Sequence, residues 1–260
     1  MSGMIIPTLI VVSSAHEVLF KRYFLPSLPD GLAPQVRRLA DNNSDGSFLS
    51  AEWQEAMCAK VRHALEFCKG ASDKQIFIVC DVDVQFFPCF DSVEFVNYFC
   101  SLDCDMAFQK ERFRRNDTEA CCGFYIARNT ENVRGLLKNT CEALYVSSAK
   151  NEQVAVNSLL KNGTVSHKLL DNRFYARTHG FPPPRELWIH HANWTTDIPA
   201  KIRQLERVRR IMRGGVLRLH AESYAEMLSR PLDNVNWLRF AAEASIRFLG
   251  KVPLEPSSLA

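Results

Sequence analysis

The chain has 260 residues, 47% hydrophobic and 23% charged, with a formal net charge of +3. This composition predicts a globular protein with a sizeable core, and the small net charge argues against a general nucleic-acid binder. No run approaches about 18 uncharged apolar residues and the apolar N-terminal stretch lacks a basic flank, so the sequence predicts neither a membrane span nor a signal peptide.

The cysteines are nine in number, and several occupy core-like positions in helical or strand patterns. An odd number at such positions favours a reduced compartment over a disulfide framework, so we expect a cytoplasmic protein. No pair has the Cys-X-X-Cys spacing typical of zinc sites, so we do not predict a structural zinc ion.

The predicted elements begin with an apolar, β-branched strand at residues 5–13, followed by a helix through about Tyr23. Prolines and a glycine interrupt residues 26–34, and residues 41–46 form a dense turn cluster. A long helix is predicted from Ser50, a plausible N-cap, to about Lys69. Its apolar residues recur at intervals of three and four, which indicates one buried stripe: Trp53, Met57, Val61, Ala64, Leu65 and Cys68.

Residues 76–88 are the most informative stretch, because an apolar run ends at two carboxylates, Asp81 and Asp83. The run predicts a buried parallel strand that leaves its sheet at Asp81, so that both acids face water. Neighbouring carboxylates repel each other, and a divalent cation would relieve the repulsion. Ligands bind at the carboxyl ends of strands in α/β sheets, so the pattern predicts a metal-held diphosphate.

Downstream, the pattern alternates between helices and strands. Helices are predicted at about residues 93–99, 131–145 and 151–161, and strands at about residues 105–109, 123–127, 165–170 and 186–191. This alternation predicts an α/β fold with a mostly parallel central sheet flanked by helices. We expect residues 1–213 to form one domain and residues 214–260 to form a helical extension packed on it.

Two kinds of enzyme use an Asp-X-Asp motif after an apolar strand. One is a nucleotide-sugar glycosyltransferase, and the other is a phosphohydrolase of the haloacid dehalogenase kind, with Asp81 as nucleophile. The phosphohydrolase needs a later strand that ends in paired acids, which we do not find. A later strand instead delivers His190 and His191, and Lys201 follows ten residues beyond His191. An imidazole can complete a metal site and a lysine can neutralise a leaving diphosphate, which favours the transferase.

The chain resembles the nucleotide-diphospho-sugar transferases of the GT-A fold over about residues 5–205. The match is to a subgroup resembling plant and protist wall glycosyltransferases and some viral and bacterial ones. Its motifs, in order, are Trp53 with Lys60, Asp81-Val-Asp83, Asp105 with Gln109, Cys122-Gly123-Phe124, Glu152-Gln153 with Asn157, His191-Ala-Asn193, and Lys201. The chain departs from the family at Glu152, where Asp is usual, and at Cys122, where Thr or Ser is usual.

The resemblance implies a metal site and a donor site. Asp81, Asp83 and His191 would bind Mn²⁺ or Mg²⁺; His191 is favoured over His190 because His190 precedes the His-Ala-Asn pattern. Asp81 would also approach the donor ribose, and Lys201 would contact the diphosphate. The other implied donor-binding residues are Lys60, Gln109, Gly123, where the backbone approaches the sugar, and Asn157. Catalytic roles would fall to Asp83, to Gln153 beneath the anomeric carbon, and to Glu152.

The predicted function is metal-dependent transfer of a sugar from a nucleoside-diphosphate sugar to a hydroxyl acceptor, a glycan, as in polysaccharide biosynthesis. By resemblance we expect retention at the anomeric carbon, with Gln153 or Glu152 supporting the cationic sugar. If Glu152 acted as a general base, inversion would follow. A sugar-nucleotide or glycan-binding module without turnover is the remaining alternative.

Partner contacts are predicted from two basic segments. Residues 201–213 carry six cations and one acid at helical spacing. They predict either peripheral contact with the inner face of a membrane or, preferably, an amphipathic helix packed on the domain. Three loops, at residues 41–46, 110–119 and 174–184, are expected to select sugar and acceptor. Arg112, Arg114 and Arg115, in the loop at residues 110–119, would bind an anionic acceptor or simply face solvent.

Overall fold

The structure is a computed structural model that describes residues 5–39, 51–112, 118–146, 151–180, 183–214 and 221, and the side chains of residues 51–54 are outside this description. The predicted loop at 41–46, the predicted cap Ser50 and the Trp53 side chain therefore lie outside the described part. The same holds for nearly all of the predicted C-terminal extension, which stays a prediction.

Within the described residues the chain forms nine strands and six α-helices. The strands are β1 (Ile6–Val12), β2 (Leu32–Arg38), β3 (Ile76–Cys80), β4 (Val84–Phe86), β5 (Met106–Lys110), β6 (Ala120–Arg128), β7 (His167–Leu169), β8 (Phe174–Ala176) and β9 (Ile189–His191). The helices are α1 (Glu17–Leu19), α2 (Ala51–Gly70), α3 (Ser92–Ser101), α4 (Glu131–Tyr145), α5 (Glu152–Leu160) and α6 (Ile198–Arg213).

Six strands form the central sheet in the order β2-β1-β3-β6-β5-β7. Strand β1 pairs parallel with β2 and β3, and β5 pairs parallel with β7, whereas β6 runs antiparallel to both of its neighbours, β3 and β5. The predicted α/β fold with a mostly parallel sheet is therefore confirmed, with β6 as the strand of opposite direction.

A second, smaller sheet has the order β4-β9-β8. Its strands have only three residues each, too short for a recognisable alternation of side chains, and the sequence predicted only β9. The prediction of a loop throughout residues 174–184 is wrong at β8 for this reason. Strand β2 was also missed, because Pro34 interrupts its pattern; the proline is tolerated at the edge of the sheet, where a ladder hydrogen bond is dispensable.

The helices mostly begin where a side chain caps them. Asp91, Thr130, Asn151 and Asp197 accept hydrogen bonds from the first free backbone N–H groups of α3, α4, α5 and α6. Helix α1 is a single turn that continues as π-helical and 3₁₀ turns through Ser27, so the predicted helix after β1 is irregular.

Apolar side chains cover both faces of the central sheet. On one face, the predicted stripe of α2 packs against the sheet through Val61, Ala64 and Cys68, with Leu65 partly buried beside them. On the other face lies an aromatic cluster that reaches the small sheet, including Phe20, Phe24, Phe86, Phe95, Phe124 and Phe174. All nine cysteines are free thiols.

Helix α6 buries its apolar stripe on the domain, through Leu205, Val208 and Ile211. This packing favours the amphipathic-helix interpretation of residues 201–213, and membrane contact stays a prediction. No helix in the described part of the chain is both long and apolar enough to cross a bilayer.

Candidate active site

Strand pairing positions the two acids of the Asp-X-Asp motif. The backbone N–H of Asp81 donates to the carbonyl of Gly123 at 2.8 Å, which continues the ladder between β3 and β6. The carbonyl of Asp83 accepts from the N–H of Ala192 at 3.0 Å, which continues the ladder between β4 and β9. Asp81 therefore lies beside the middle of β6, and Asp83 lies at the carboxyl end of β9.

The acids differ in their access to solvent. The Asp81 side chain is 36% exposed, as expected for a strand end. The Asp83 side chain is only 6% exposed, so the prediction that both acids face water is wrong for Asp83. The reason is β4, which begins at the next residue and turns the chain into the small sheet.

The two neighbouring histidines of β9 point in opposite directions, because side chains alternate along a strand. The Nε2 atom of His191 lies 3.4 Å from Oδ1 of Asp83. The His190 ring points away, stacks on Tyr175 and accepts from the Gln85 amide at 3.2 Å. Burial lowers the pKa of His190 to about 3, so this ring is neutral.

Asp81, Asp83 and His191 form a cluster whose candidate ligand atoms all lie within 4.8 Å of one another. It is the only such cluster of three or more His, Cys, Asp or Glu residues found among the described residues. Two carboxylates from the turn between β3 and β4 and an imidazole from β9 suit a divalent cation.

Gln109 orients His191. Its side-chain oxygen is 2.8 Å from Nδ1 of His191, and its amide nitrogen donates to the Phe174 carbonyl at 3.1 Å, which fixes the orientation of the amide. Nδ1 must then carry a proton, and a neutral ring presents the lone pair of Nε2 to Asp83. Two acceptors that face each other require a positive charge, supplied by a cation or by a second ring proton. These residues therefore fit a metal ion.

Gly123 gives His191 its space. A Cβ atom at Gly123 would overlap the imidazole ring and would lie 2.8 Å from both ring nitrogens. A larger residue would push the ring away from Asp83. The close approach to Gly123 in the structure is that of His191, and the approach of the backbone to the sugar stays a prediction.

Lys201, on the first turn of α6, forms an ion pair with Oδ2 of Asp83. Asp197 caps this helix, with its Oδ1 accepting from the N–H of Ala200 at 2.6 Å. Burial alone would raise the pKa of Asp83, but Lys201 and His191 outweigh burial and hold the pKa well below its usual range. Asp83 is therefore a carboxylate at neutral pH.

Lys60 of α2 is buried between two acids. Its Nζ atom lies 2.8 Å from Asp81 and 2.8 Å from Glu152, and it donates to the Cys122 carbonyl at 3.1 Å. Burial would lower the pKa of Lys60, but Asp81 and Glu152 outweigh it and raise the pKa. Burial raises the pKa of Glu152 to about 7, against the opposing effect of Lys60. Lys60 is thus fully engaged without a ligand.

Gln153 and Asn157 lie on α5 and contact the start of β6. The side-chain oxygen of Gln153 accepts from the N–H of Cys122 at 3.4 Å. The side-chain oxygen of Asn157 accepts from the N–H of Ala120 at 2.8 Å. Its amide nitrogen donates to the carbonyls of Ala120 and Gln153, each at 2.8 Å. Asn157 therefore holds β6 and α5 together, and a direct contact with the donor stays a prediction.

An open cavity of about 130 Å³ lies beside the acids. Of the predicted site residues, it is lined by Asp81, Asp83, Lys60 and Lys201. Sequence reasoning missed its other polar lining residues, which are Ser13 and His16 after β1 and Thr195, Thr196 and Asp197 before α6. Ser13 and Ser14, directly after β1, could have indicated this part of the cavity, since ligands bind at the carboxyl ends of parallel strands. Burial lowers the pKa of His16, whose Nδ1 is 2.8 Å from the Ser13 hydroxyl.

Several solved structures match this chain at low sequence identity. A glycosyltransferase involved in glycosylation of the major capsid of PBCV-1 matches with a TM-score of 0.53 and 10% identity, covering 78% of this chain and 100% of the other. Mouse xyloside xylosyltransferase 1 matches with a TM-score of 0.48 and 10% identity, covering 75% of this chain and 99% of the other. The glycosyltransferase GlyE of Streptococcus pneumoniae matches with a TM-score of 0.44 and 11% identity over 66% of this chain, which spans 46% of GlyE.

The structural match to the PBCV-1 protein supports the expected GT-A fold. Comparison with curated proteins returned no match. The nucleotide-diphospho-sugar transferase family matches residues 29–205, more than half of the chain, and this match decides against the phosphohydrolase alternative. The chain therefore belongs to the nucleotide-diphospho-sugar transferase family.

Proposed function

We propose that this chain is a metal-dependent glycosyltransferase that moves a sugar from a nucleoside-diphosphate sugar to a hydroxyl of a glycan acceptor. The observation that carries the proposal is the cluster of Asp81, Asp83 and His191, which lies beside a cavity that also contains Lys201. Acidic and imidazole ligands next to a lysine suit a cation and a diphosphate together.

In this proposal Asp81, Asp83 and His191 would hold Mn²⁺ or Mg²⁺. The bound ion would stabilise the negative charge that develops on the leaving diphosphate. Lys201 would then donate to the diphosphate, because a cation at Asp83 takes over the charge that Lys201 balances in the structure.

Retention at the anomeric carbon is also part of the proposal. Of the described residues that line the cavity, the carboxylates are Asp81, Asp83 and Asp197, and Asp197 caps α6. Glu152 is buried against Lys60. A carboxylate placed as a separate general base is therefore lacking in the described part of the cavity, which supports a mechanism in which the leaving phosphate deprotonates the acceptor. We assign support of the cationic sugar to Gln153. The anomeric configuration of the product, measured by NMR, tests this assignment.

The test of the whole proposal is a panel of nucleotide sugars incubated with Mn²⁺, with release of nucleoside diphosphate as the measurement. We expect slow hydrolysis of at least one donor and its loss by at least about 100-fold in Asp83→Asn, because the carboxylate charge is removed from the metal site. Asp73→Asn, the same change at an exposed residue in the turn before β3, should behave as wild type. If the wild-type protein neither hydrolyses nor binds any donor, the proposal is wrong.

The proposal includes a cytoplasmic location, with the basic face of α6 available to the inner face of a membrane. Arg203, Arg210 and Arg213 are exposed on this helix, outside its buried stripe. Sedimentation with vesicles of phosphatidylserine and phosphatidylcholine, compared with phosphatidylcholine alone, tests membrane contact. Binding to neither preparation would remove it from the proposal.

A further inference from the structure

Trp194 stands out because it is exposed and its backbone is strained. The residue is 60% exposed and lies three positions after His191. Its φ of 51° is in the left-handed region, which is costly for a bulky residue. Strain of this kind persists only where the surroundings impose it, and it is concentrated at functional sites.

Anchors on several sides hold the indole. Its Nε1 donates to the carboxylate of Glu111, a residue that is 1% exposed. The backbone carbonyl of Trp194 accepts from the Arg177 guanidinium at 2.6 Å, and the Arg112 guanidinium lies 5.8 Å from the centroid of the indole ring. Burial of a carboxylate is costly unless its charge is compensated. Oε1 accepts from the indole, Oε2 lacks a hydrogen-bond partner among the described residues, and the Cys121 thiol also contacts this carboxyl group. The protein therefore keeps a buried acid, which is costly, directly beside Trp194.

The neighbouring loop is fixed as well. The side-chain oxygen of Asn193 accepts from the N–H of Thr178 at 3.1 Å, and its amide donates to the Thr178 hydroxyl at 2.8 Å. The indole is therefore presented to solvent in one orientation, and binding a flat ligand would cost little side-chain entropy.

The position of Trp194 separates it from the donor cavity. Thr195 and Thr196 line that cavity, which extends to the carboxyl ends of β1 and β3, whereas Trp194 is absent from its described lining. The anchor Glu111 follows β5, on the side of His191 that contacts Gln109 and Cys121. Lys201 approaches Asp83 through the other carboxylate oxygen. Trp194 is thus linked through Glu111 and Cys121 to the Nδ1 side of the His191 ring, whereas Nε2 of that ring faces Asp83.

We propose that Trp194 is the platform on which the acceptor sugar stacks. The face of a pyranose ring that carries axial C–H groups is apolar and weakly positive, so it suits the negative face of an indole. The proposal rests on the proposed function and specifies its acceptor: a pyranose with one unsubstituted C–H face. A nucleobase would also stack on an indole, but the donor cavity lies on the other side of Thr195.

The test uses the full chain with Mn²⁺ and a nucleoside diphosphate, and methyl glycosides of common pyranoses as probes. Saturation-transfer NMR measures which glycosides bind, and transfer to them is measured where it occurs. We expect Trp194→Ala to weaken glycoside binding by about tenfold, with Trp194→Phe in between, while donor hydrolysis and nucleoside-diphosphate affinity stay unchanged. Glu111→Gln keeps a carbonyl acceptor for Nε1 and should keep most of the affinity.

Two results would overturn the inference. One is a wild-type protein that hydrolyses a donor but binds no methyl glycoside, or binds it equally well after Trp194→Ala. The other is a loss of nucleoside-diphosphate affinity in Trp194→Ala, which would assign the indole to the nucleobase. A wild-type protein without donor binding would instead contradict the proposed function. Circular dichroism of both Trp194 variants separates loss of binding from loss of fold.

Discussion

Each acid of the Asp-X-Asp motif is paired with one lysine, Asp81 with Lys60 and Asp83 with Lys201, but the two lysines have different surroundings. These pairs are called the Lys60 half and the Lys201 half of the site. Lys60 is buried and bonded to Asp81, Glu152 and the Cys122 carbonyl. Lys201 lies at the start of α6 and is paired with Asp83, and like Lys60 it lines the cavity. Lys60 has all its partners within the protein, whereas in the proposed function Lys201 would be released when a metal ion binds Asp83.

The difference suggests a division of labour. The Lys60 half is part of the folded core, because Lys60 neutralises two carboxylates that would otherwise repel each other. In the proposed function the Lys201 half takes part in the chemistry, because its lysine would exchange Asp83 for a phosphate of the donor. Four substitutions test this division, beginning with the largest expected effect.

Lys60→Met should lower the free energy of unfolding by about 3–5 kcal/mol, because it leaves a buried acid without its counter-charge. Denaturant titration measures this loss. The double variant Lys60→Met, Glu152→Gln should recover part of it, since Glu152 has a raised pKa of about 7 and loses little when neutralised. Unchanged stability of the single variant would show that Lys60 is not structural.

Lys201→Ala should lower the rate of donor hydrolysis by about 100- to 1000-fold, because a donor to the leaving diphosphate is lost. The affinity for Mn²⁺, measured by calorimetry without donor, should not fall, because the lysine and the cation compete for Asp83. Weaker Mn²⁺ binding in this variant would contradict the proposed exchange.

Gln109→Leu should weaken Mn²⁺ binding by about 10- to 100-fold, because the proton on Nδ1 of His191 loses the acceptor that fixes the ring. Gln85→Leu provides the matched control, since it removes the same amide from His190, the neighbouring ring that faces away. Equal losses of Mn²⁺ affinity in both variants would indicate general damage to β9 and would refute the role of Gln109.

His190 should make the fold sensitive to acid. Its pKa is about 3 in the folded protein and about 6.5 in an unfolded chain, so the unfolded state gains a proton first as the pH falls. The free energy of unfolding should therefore fall by about 2 kcal/mol on this account between pH 6.5 and 5. In His190→Asn the free energy of unfolding, measured by denaturant titration, should fall less between pH 7.5 and 5 than in the wild-type protein. Parallel decreases would assign the acid sensitivity to other groups.

The sequence predicted the elements that combine a clear residue pattern with a clear signal at one end. Helices α4 and α5 were placed well because each combines helical periodicity with a capping residue, Thr130 or Asn151. Strand β3 was predicted because an apolar run ends at charged residues. The cluster of Asp81, Asp83 and His191 was expected from the resemblance, which supplied a long-range relation that local patterns lack.

The remaining features depend on contacts between distant positions. The direction of β6 and the three-residue strands β4 and β8 follow from pairing, and short strands carry no periodic signal. The position of Gln109 against His191 joins residues 82 positions apart. The backbone angle and the exposure of Trp194 are equally invisible in a residue pattern, since neighbouring loops impose both.

The pairing of Lys201 with Asp83 has a consequence for how the protein folds. These residues are 118 positions apart, so the centre assembles only after β3, β9 and α6 have all docked. An unfolded chain offers no comparable set of ligands, and any cation that binds the centre binds the native state alone. At about 100 times its dissociation constant such an ion would add about 2.7 kcal/mol to the free energy of unfolding. The melting temperature in graded Mn²⁺ would then report occupancy before any donor sugar is identified.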